Sequence, residues 1–155
     1  MKVLIVYDSV SPNKMTKAVA QTIGEVLGEK GIEADTRYFA EVDKSAIKNY
    51  DCAIVGGPTM AFRPSKGIAQ FLDSLPKNEF NGKRAAAFDT KVKMAINGDA
   101  SKGIEKKLKG LGFTIFKPPL EVYVQGLGKN MYQFKDGELE KAKNWAQEAA
   151  STLSG

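Results

Sequence analysis

Polar side chains that suit an anion are concentrated in one segment near the amino terminus. Serines, an amide and a lysine precede the first predicted helix, whose opening turn adds a threonine; the residues are Ser9, Ser11, Asn13, Lys14, Met15 and Thr16. A helix N-terminus presents backbone N–H groups and a partial positive charge, and short hydroxyls add donors at close range. The segment therefore predicts a phosphate site, with helix capping by Ser11, Asn13 or Thr16 as the alternative.

Two further segments carry groups that suit a flat, partly polar ring. The second segment sets a thioether and an aromatic side chain among prolines, and it comprises Pro58, Thr59, Met60, Ala61, Phe62 and Arg63. This combination predicts a stiff wall for a planar ligand, although Met60 and Phe62 could instead cover the core. The third segment offers hydrogen-bonding groups for a ring edge, with a simple surface turn as the alternative; its residues are Asp89, Thr90, Lys91 and Met94.

The composition limits the chemistry that these segments can perform. Histidine is absent, so neither a histidine-based catalytic triad nor a histidine-ligated metal site can form. Cys52, the single cysteine, lies in an apolar run and is expected to be a buried core thiol. We therefore expect no catalytic residues and no metal, and a bound cofactor to carry any chemistry. A phosphate site without a metal suits FMN, and no GxGxxG or P-loop pattern supports NAD or ATP.

Apolar runs rich in Val, Ile and Ala alternate with amphipathic stretches along the whole chain. This order is typical of parallel strands covered on both faces by helices. The predicted strands are Lys2–Tyr7, Ile32–Tyr38, Asp51–Gly57, Arg84–Phe88 and a fifth strand, Thr114–Phe116 with Glu121–Val124. Pro118-Pro119 interrupts that fifth strand, which favours a position at the sheet edge. The predicted helices are Met15–Lys30, Asp43–Lys48, Lys66–Leu75, Asp99–Leu111 and Glu138–Leu153.

This pattern predicts an α/β fold, a doubly wound five-stranded parallel sheet with strand order 2-1-3-4-5 and helices on both faces. Ligands of such sheets bind at the carboxyl ends of the strands, where all three polar segments begin. The 155 residues are expected to form one domain, 1–155. The apolar run Val3–Tyr7 is too short for a signal peptide or a membrane span, so we expect a cytoplasmic protein without membrane contact.

The order of these segments resembles the flavodoxin family over essentially the whole chain. The resemblance is carried by Val3-Leu4-Ile5-Val6-Tyr7, Met15-Thr16-Lys17-Ala18-Val19-Ala20, Val55-Gly56-Gly57-Pro58-Thr59, Gly82-Lys83-Arg84-Ala85-Ala86-Ala87-Phe88-Asp89-Thr90 and Gly137-Glu138-Leu139. It implies that the first segment holds the FMN phosphate and that the other two flank the isoalloxazine ring. It further implies a low-potential electron carrier, rather than an enzyme, that shuttles electrons between redox partner proteins.

Two departures from the family pattern affect the proposed site. Lys14 stands where the family's phosphate loop, Thr/Ser-x-Thr-Gly-x-Thr, has a glycine, so we expect a different backbone path. We also expect the Lys14 ammonium to reach the phosphate. The only tryptophan, Trp145, is expected to lie in the core, which leaves Met60 and Phe62 as the predicted ring neighbours.

The charge distribution suggests what kind of partner the chain meets. The net charge is +5, and several basic residues fall in or beside the site segments: Lys14, Arg63, Lys66, Lys91 and Lys93. These cations predict partners with acidic docking faces and favour the anionic reduced flavin. Since no nucleic-acid signature accompanies them, we expect no nucleic acid partner. We expect a monomer, and two alternatives stay open: an FMN-dependent NAD(P)H:quinone or flavin reductase, and a flavin-free interaction module.

Overall fold

A mostly parallel sheet with helices on both faces forms the centre of the fold. The computed structural model describes residues 1–10, 14–60, 63–92 and 98–155. Two short 3-10 helices, Phe39–Glu41 and Lys44–Asn49, lie between the second and third strands. The elements in chain order are β1 (Lys2–Tyr7), α1 (Met15–Glu29), β2 (Glu33–Tyr38), β3 (Cys52–Met60), β4 (Arg63–Pro64), α2 (Lys66–Asp73), β5 (Arg84–Val92), α3 (Ala100–Gly110), β6 (Thr114–Ile115), β7 (Leu120–Gly128), β8 (Met131–Phe134) and α4 (Glu138–Ser154).

The long strands lie in the order β2-β1-β3-β5-β7, and neighbouring strands in this series are parallel. Counting these five strands in chain order gives 2-1-3-4-5, so the predicted fold and strand order are confirmed. Because parallel neighbours need a crossover, each connection carries a helix or helical turn across a face of the sheet. The carboxyl ends of β1, β3 and β5 therefore meet at one edge.

Alternate residues of each central strand face opposite helical layers. On β1, Val3 and Ile5 pack into the cluster formed with α1 and α4, whereas Leu4 and Val6 pack into the cluster formed with α2 and α3. This is the two-residue period of a strand that is buried on both faces. Trp145 of α4 belongs to the first cluster and is 8% exposed, which confirms its predicted place in the core.

Helix ends follow local sequence signals. The α1 helix ends before Gly31, which has φ +83°, a left-handed conformation that glycine adopts at little cost. Ser65 caps α2 by accepting a hydrogen bond from the Ile68 N–H, and Asp43 accepts one from the Ser45 N–H. Among the described helices, none is long and apolar enough to cross a bilayer.

The carboxyl-terminal part of the sheet differs from the prediction. The split fifth strand was expected at the sheet edge, but β8 pairs antiparallel with β7 and covers its outer side. Pro118-Pro119 lies between β6 and β7, both of which pair with β5, so the prolines interrupt the ladder without ending the sheet. Lys129 and Asn130 form the β7–β8 turn with φ of +53° and +63°, as a tight hairpin requires.

Candidate functional site

A cleft opens where the carboxyl ends of β1, β3 and β5 meet the first turn of α1. Segments that are far apart in sequence line it together, because the parallel topology brings these strand ends to one edge. Its far wall comes from the β7–β8 hairpin. The lining residues are Val10, Met15, Thr16, Pro58, Thr59, Met60, Thr90, Lys91, Val92, Val124 and Tyr132.

Seven of the residues that the sequence predicted for the site line this cleft. Members of all three predicted segments are among them, so the structure brings the segments together as expected. The seven residues are Met15, Thr16, Pro58, Thr59, Met60, Thr90 and Lys91. Five other predicted residues lie outside the described residues: Ser11, Asn13, Ala61, Phe62 and Met94.

Four predicted residues are described but do not line the cleft. Ser9 and Lys14 lie beside the start of α1, where the Lys14 Nζ donates to the Ser9 carbonyl oxygen at 3.5 Å. Arg63 is exposed on β4, where its backbone pairs with Met60. Asp89 is fully buried, and its carboxylate accepts a hydrogen bond from the Ser101 N–H at 3.0 Å. The Asp89 side chain therefore holds α3 and does not reach the cleft.

The start of α1 has the features of an anion site. Lys14 is its N-cap residue but provides no side-chain capping bond, and a helix offers the N–H groups of its first turn no intrahelical acceptor. The Ser9 Oγ is buried and has no hydrogen-bond partner within the described part of the chain. A buried hydroxyl without a partner is costly, so it is a candidate donor to a bound group. An anion would satisfy both the helix end and this hydroxyl.

The backbone of Lys14 adopts a conformation that is uncommon for a lysine. Its φ of 53° and ψ of 50° are left-handed, the conformation that glycine adopts readily. The expected difference in the backbone path of the phosphate loop stays a prediction, because residues 11–13 lie outside the described residues. Lys14 itself accepts the glycine-type conformation, which costs an L-residue about 1 kcal/mol.

Strand ends, rather than loops, position most of the cleft residues. The β3 strand continues to Met60 and β5 continues to Val92, several residues beyond their predicted ends. Pro58 and Thr90 are paired in register, which fixes the distance between the two predicted segments. The Thr16 hydroxyl hydrogen-bonds the Thr90 hydroxyl at 2.8 Å and so attaches the first turn of α1 to β5. The anion site and the cleft thus form one continuous surface.

Lys91 was predicted to add positive charge to the site, and this expectation is wrong. Its side chain is 1% exposed, and its ammonium contacts three carboxylates, those of Asp89, Asp99 and Glu121. Burial opposes the charge, but the hydrogen bonds to Asp99 and Glu121 and the charge of Asp89 raise the Lys91 pKa above its ordinary value. The lysine is therefore charged, and its charge is balanced locally.

Four lining residues were not among the predicted site residues: Val10, Val92, Val124 and Tyr132. Val92 lies within the third predicted segment, whereas Val124 and Tyr132 lie outside all three segments. Tyr132, half-buried on β8, is the aromatic ring among the lining residues. A signal for it was present, because the glycine-rich stretch from Gly126 to Asn130 is followed by alternating apolar and polar residues, as in a hairpin. An apolar cleft with an aromatic wall next to an anion site suits a planar ring that carries a phosphate.

Comparison with known proteins agrees with this arrangement. A curated flavodoxin from Synechocystis sp. is 31% identical over 101 residues, which cover 63% of this chain and 59% of that protein. This chain therefore spans less than two thirds of the relative's length. The relative's name refers to the same family that the sequence motifs resemble.

Solved structures share the whole fold. Flavodoxin 2 from Bacillus cereus matches with a TM-score of 0.81 and 22% identity, and each chain is covered completely. Rubredoxin oxygen:oxidoreductase from Desulfovibrio gigas matches with a TM-score of 0.78 and 22% identity, over 99% of this chain but only 36% of that one. At these identities the matches establish the fold alone. The Flavodoxin family model matches residues 5–145, and the chain therefore belongs to the flavodoxin family.

Proposed function

We propose that this chain binds FMN and carries electrons between redox partner proteins, without a substrate or catalytic residues of its own. One observation supports this most directly: among the described residues Ser9 Oγ is buried without a hydrogen-bond partner, and Ser9 contacts Lys14, the N-cap residue of α1, which makes no side-chain capping bond. The first turn of that helix lines the apolar cleft. The donors suit a phosphate and the cleft suits a flat ring. FMN, when bound, supplies one-electron and two-electron redox chemistry.

The residues present divide into two sets that fit the two ends of FMN. Ser9, Lys14 and the first turn of α1 would hold the phosphate by hydrogen bonds and charge. Thr59, Thr90 and their strand backbones would meet the polar edge of the ring. Apolar contacts to its faces would come from Pro58, Met60, Val92, Val124 and Tyr132.

The proposed partner proteins present acidic faces. Lys14, Arg63 and Lys66 are exposed near the cleft, and no salt bridge involves them among the described residues. Met60, at 47% exposure, adds an apolar surface at the mouth of the cleft. Attraction between exposed charges is screened by salt, so raising the ionic strength should slow electron transfer to such a partner. Transfer rates that do not change with salt would contradict this choice of partner.

The first experiment compares FMN with riboflavin, which lacks the phosphate. The purified chain is titrated with each flavin, followed by absorbance and flavin fluorescence, and the complex is then reduced anaerobically. We expect FMN to bind more tightly than riboflavin and to accept electrons from a chemical reductant. Failure to bind either flavin would refute the proposal and favour the interaction module. Rapid reduction of bound FMN by NADH or NADPH would favour a reductase.

Ser9→Ala tests the phosphate end of the site. Removing one hydrogen bond to a charged group costs about 1.5 kcal/mol, so FMN affinity should fall roughly tenfold while riboflavin affinity stays unchanged. Ser151→Ala is the control, because Ser151 Oγ lies on the exposed side of α4, where it donates to the Gln147 carbonyl oxygen at 3.2 Å. Equal losses in the two variants would remove Ser9 from the phosphate site.

A further inference from the structure

Lys91, a buried lysine, is at the centre of a cluster of charges whose other members are Asp89, which is buried, and Asp99 and Glu121, which are partly exposed. It is called here the Lys91 cluster. The Lys91 Nζ lies 2.6 Å from Asp99 Oδ1, 3.0 Å from Glu121 Oε1 and 3.3 Å from Asp89 Oδ2. One oxygen from each carboxylate lies within 4.8 Å of the others, a spacing that would also suit a metal ion. Here the lysine ammonium lies among the three oxygens. The ammonium donates hydrogen bonds to Asp99 and Glu121, and the Asp89 carboxylate adds an ion pair.

The cluster connects three elements that meet at the cleft. Asp89 and Lys91 belong to β5, Glu121 belongs to β7, and Asp99 is the N-cap residue of α3. The Asp99 side chain makes no capping hydrogen bond to α3. Its carboxylate instead binds Lys91 and, at 3.2 Å, Lys102. The start of α3 is thus attached to β5 by charge as well as by backbone.

The same network reaches the second wall of the cleft. Thr59 of β3 accepts a hydrogen bond from the Ala100 N–H at 3.3 Å, and its hydroxyl lies 3.5 Å from Asp89 Oδ2. Both Thr59 and Lys91 line the cleft. The side chains at the ends of the β3 and β5 walls and the start of α3 are therefore joined by contacts that converge on the Lys91 cluster.

We propose that Lys91 is a positioning residue, whose buried ammonium holds the start of α3, and through it the Thr59 hydroxyl, against the ends of β5 and β7 in the arrangement that a flat ring requires. The proposal rests on the flavin-binding function proposed above. It assigns Lys91 no contact with a ligand phosphate, since its ammonium is already paired with three carboxylates of the protein. Burying such ions seldom adds net stability, but it can select one arrangement of the chain.

The proposal leads to a specific dependence on pH. Without the lysine, three carboxylates would lie close together and repel one another, and their protonation would relieve the repulsion. Within the described ranges, the other charged or titratable groups beside the cluster are Lys102, whose Nζ lies 3.2 Å from Asp99, and Tyr123, whose ring lies 6.0 Å from Lys91 Nζ. Lys141 Nζ lies 5.1 Å from the same ring and pairs with Glu138. Neither of these lysines lies between the three carboxylates, as Lys91 Nζ does. A lysine-free cluster should therefore regain its arrangement as the pH falls.

The experiment measures riboflavin and FMN dissociation constants for the wild type, Lys91→Met and Lys107→Met, by flavin fluorescence at pH 8 and pH 5.5. Lys107 is the control, because its ion pair, to Asp73 at 2.7 Å, connects α3 to α2 and involves no residue that lines the cleft. We expect Lys91→Met to raise the dissociation constants of both flavins about tenfold at pH 8. At pH 5.5 the dissociation constants of Lys91→Met should approach those of the wild type. Lys107→Met should have wild-type dissociation constants at both pH values.

Two results would overturn the proposal: unchanged riboflavin affinity in Lys91→Met at pH 8, or a loss that is the same at both pH values. If Lys91→Met does not fold, Asp99→Asn replaces it, since Asp99 is 32% exposed and caps no N–H group. Riboflavin affinity of that variant should be about threefold lower than that of the wild type at pH 8. Wild-type affinity would refute the positioning role of the Lys91 cluster. A wild type that binds neither flavin would refute the proposed function itself, and this inference with it.

Discussion

Lys14 allows the phosphate contact to be separated from the backbone conformation. The residue is exposed, its φ is 53°, and its Nζ lies 3.5 Å from the Ser9 carbonyl oxygen, beside the proposed phosphate position. An exposed ion pair contributes about 1 kcal/mol at most, so losing the ammonium should weaken FMN binding roughly fivefold. Lys14→Ala and Lys14→Gly both remove the ammonium and should therefore show the same loss.

The two variants should differ in stability. Alanine keeps the left-handed strain, whereas glycine relieves it, so the free energy of unfolding of Lys14→Gly without flavin should exceed that of Lys14→Ala by about 1 kcal/mol. Urea unfolding measures this difference, and fluorescence titration measures affinity. Riboflavin is the control ligand, because it has no phosphate and its affinity should not change.

Two outcomes would refute this reasoning. Wild-type FMN affinity in Lys14→Ala would show that the ammonium does not meet the phosphate. Equal losses of FMN and riboflavin would show that Lys14 shapes the cleft instead. Measuring FMN affinity at several salt concentrations gives a third check. The difference in FMN affinity between the wild type and the Lys14 variants should shrink as salt screens the charge.

Other predictions follow from the cleft and the core. Tyr132→Ala should weaken FMN and riboflavin binding alike, by about 1.5 kcal/mol or roughly tenfold in fluorescence titrations, because an aromatic wall is lost. Cys52 is 1% exposed and burial raises its pKa to about 12, so thiol reagents at pH 8 should label it only after unfolding, as mass spectrometry would detect. Gly56→Ala should lower the free energy of unfolding by about 2 kcal/mol or more, since a Cβ there would overlap the Phe88 ring. Gly28→Ala, on an open face of α1, should raise it by about 0.5–1 kcal/mol in the same denaturant assay.

Most of the fold could be predicted because its signals are local. The strands β1 and β2 and the helices α1 and α4 begin and end within a residue of their predicted bounds, since apolar periodicity and Gly31 or Gly137 mark them. The ends of β3 and β5 were placed too early. Gly56-Gly57-Pro58 resembles a stop signal, but pairing with β5 carries β3 through it to Met60.

The β7–β8 hairpin was missed for a different reason. Only four residues form β8, and they are preceded by a turn in which Lys129 and Asn130, not the usual Asn-Gly pair, adopt positive φ. The alternation of strands and helices along the chain predicts parallel strands and gives no signal for an antiparallel partner of β7. The omission affected the site, because Tyr132 on this strand supplies the aromatic wall that the sequence analysis had sought in the loops.

The charge of the site was the hardest property to predict, because it depends on pairs that are distant in sequence. Lys91 finds one partner eight residues away and another thirty residues away, and only the topology shows that they meet. The Lys91 hydrogen bond holds the Asp99 pKa well below its ordinary value, whereas burial raises the Asp89 pKa. At neutral pH the cluster therefore holds at least as many ionised carboxylates as lysines.

The basic residues counted along the segments consequently overstate the positive potential in the cleft, and the wall that contains Lys91 should not favour an anionic reduced flavin. Lys93 lies outside the described residues. Among the described ones, Lys14, Arg63 and Lys66 are exposed at the surface, where their charge would act on a partner protein more than on the ring.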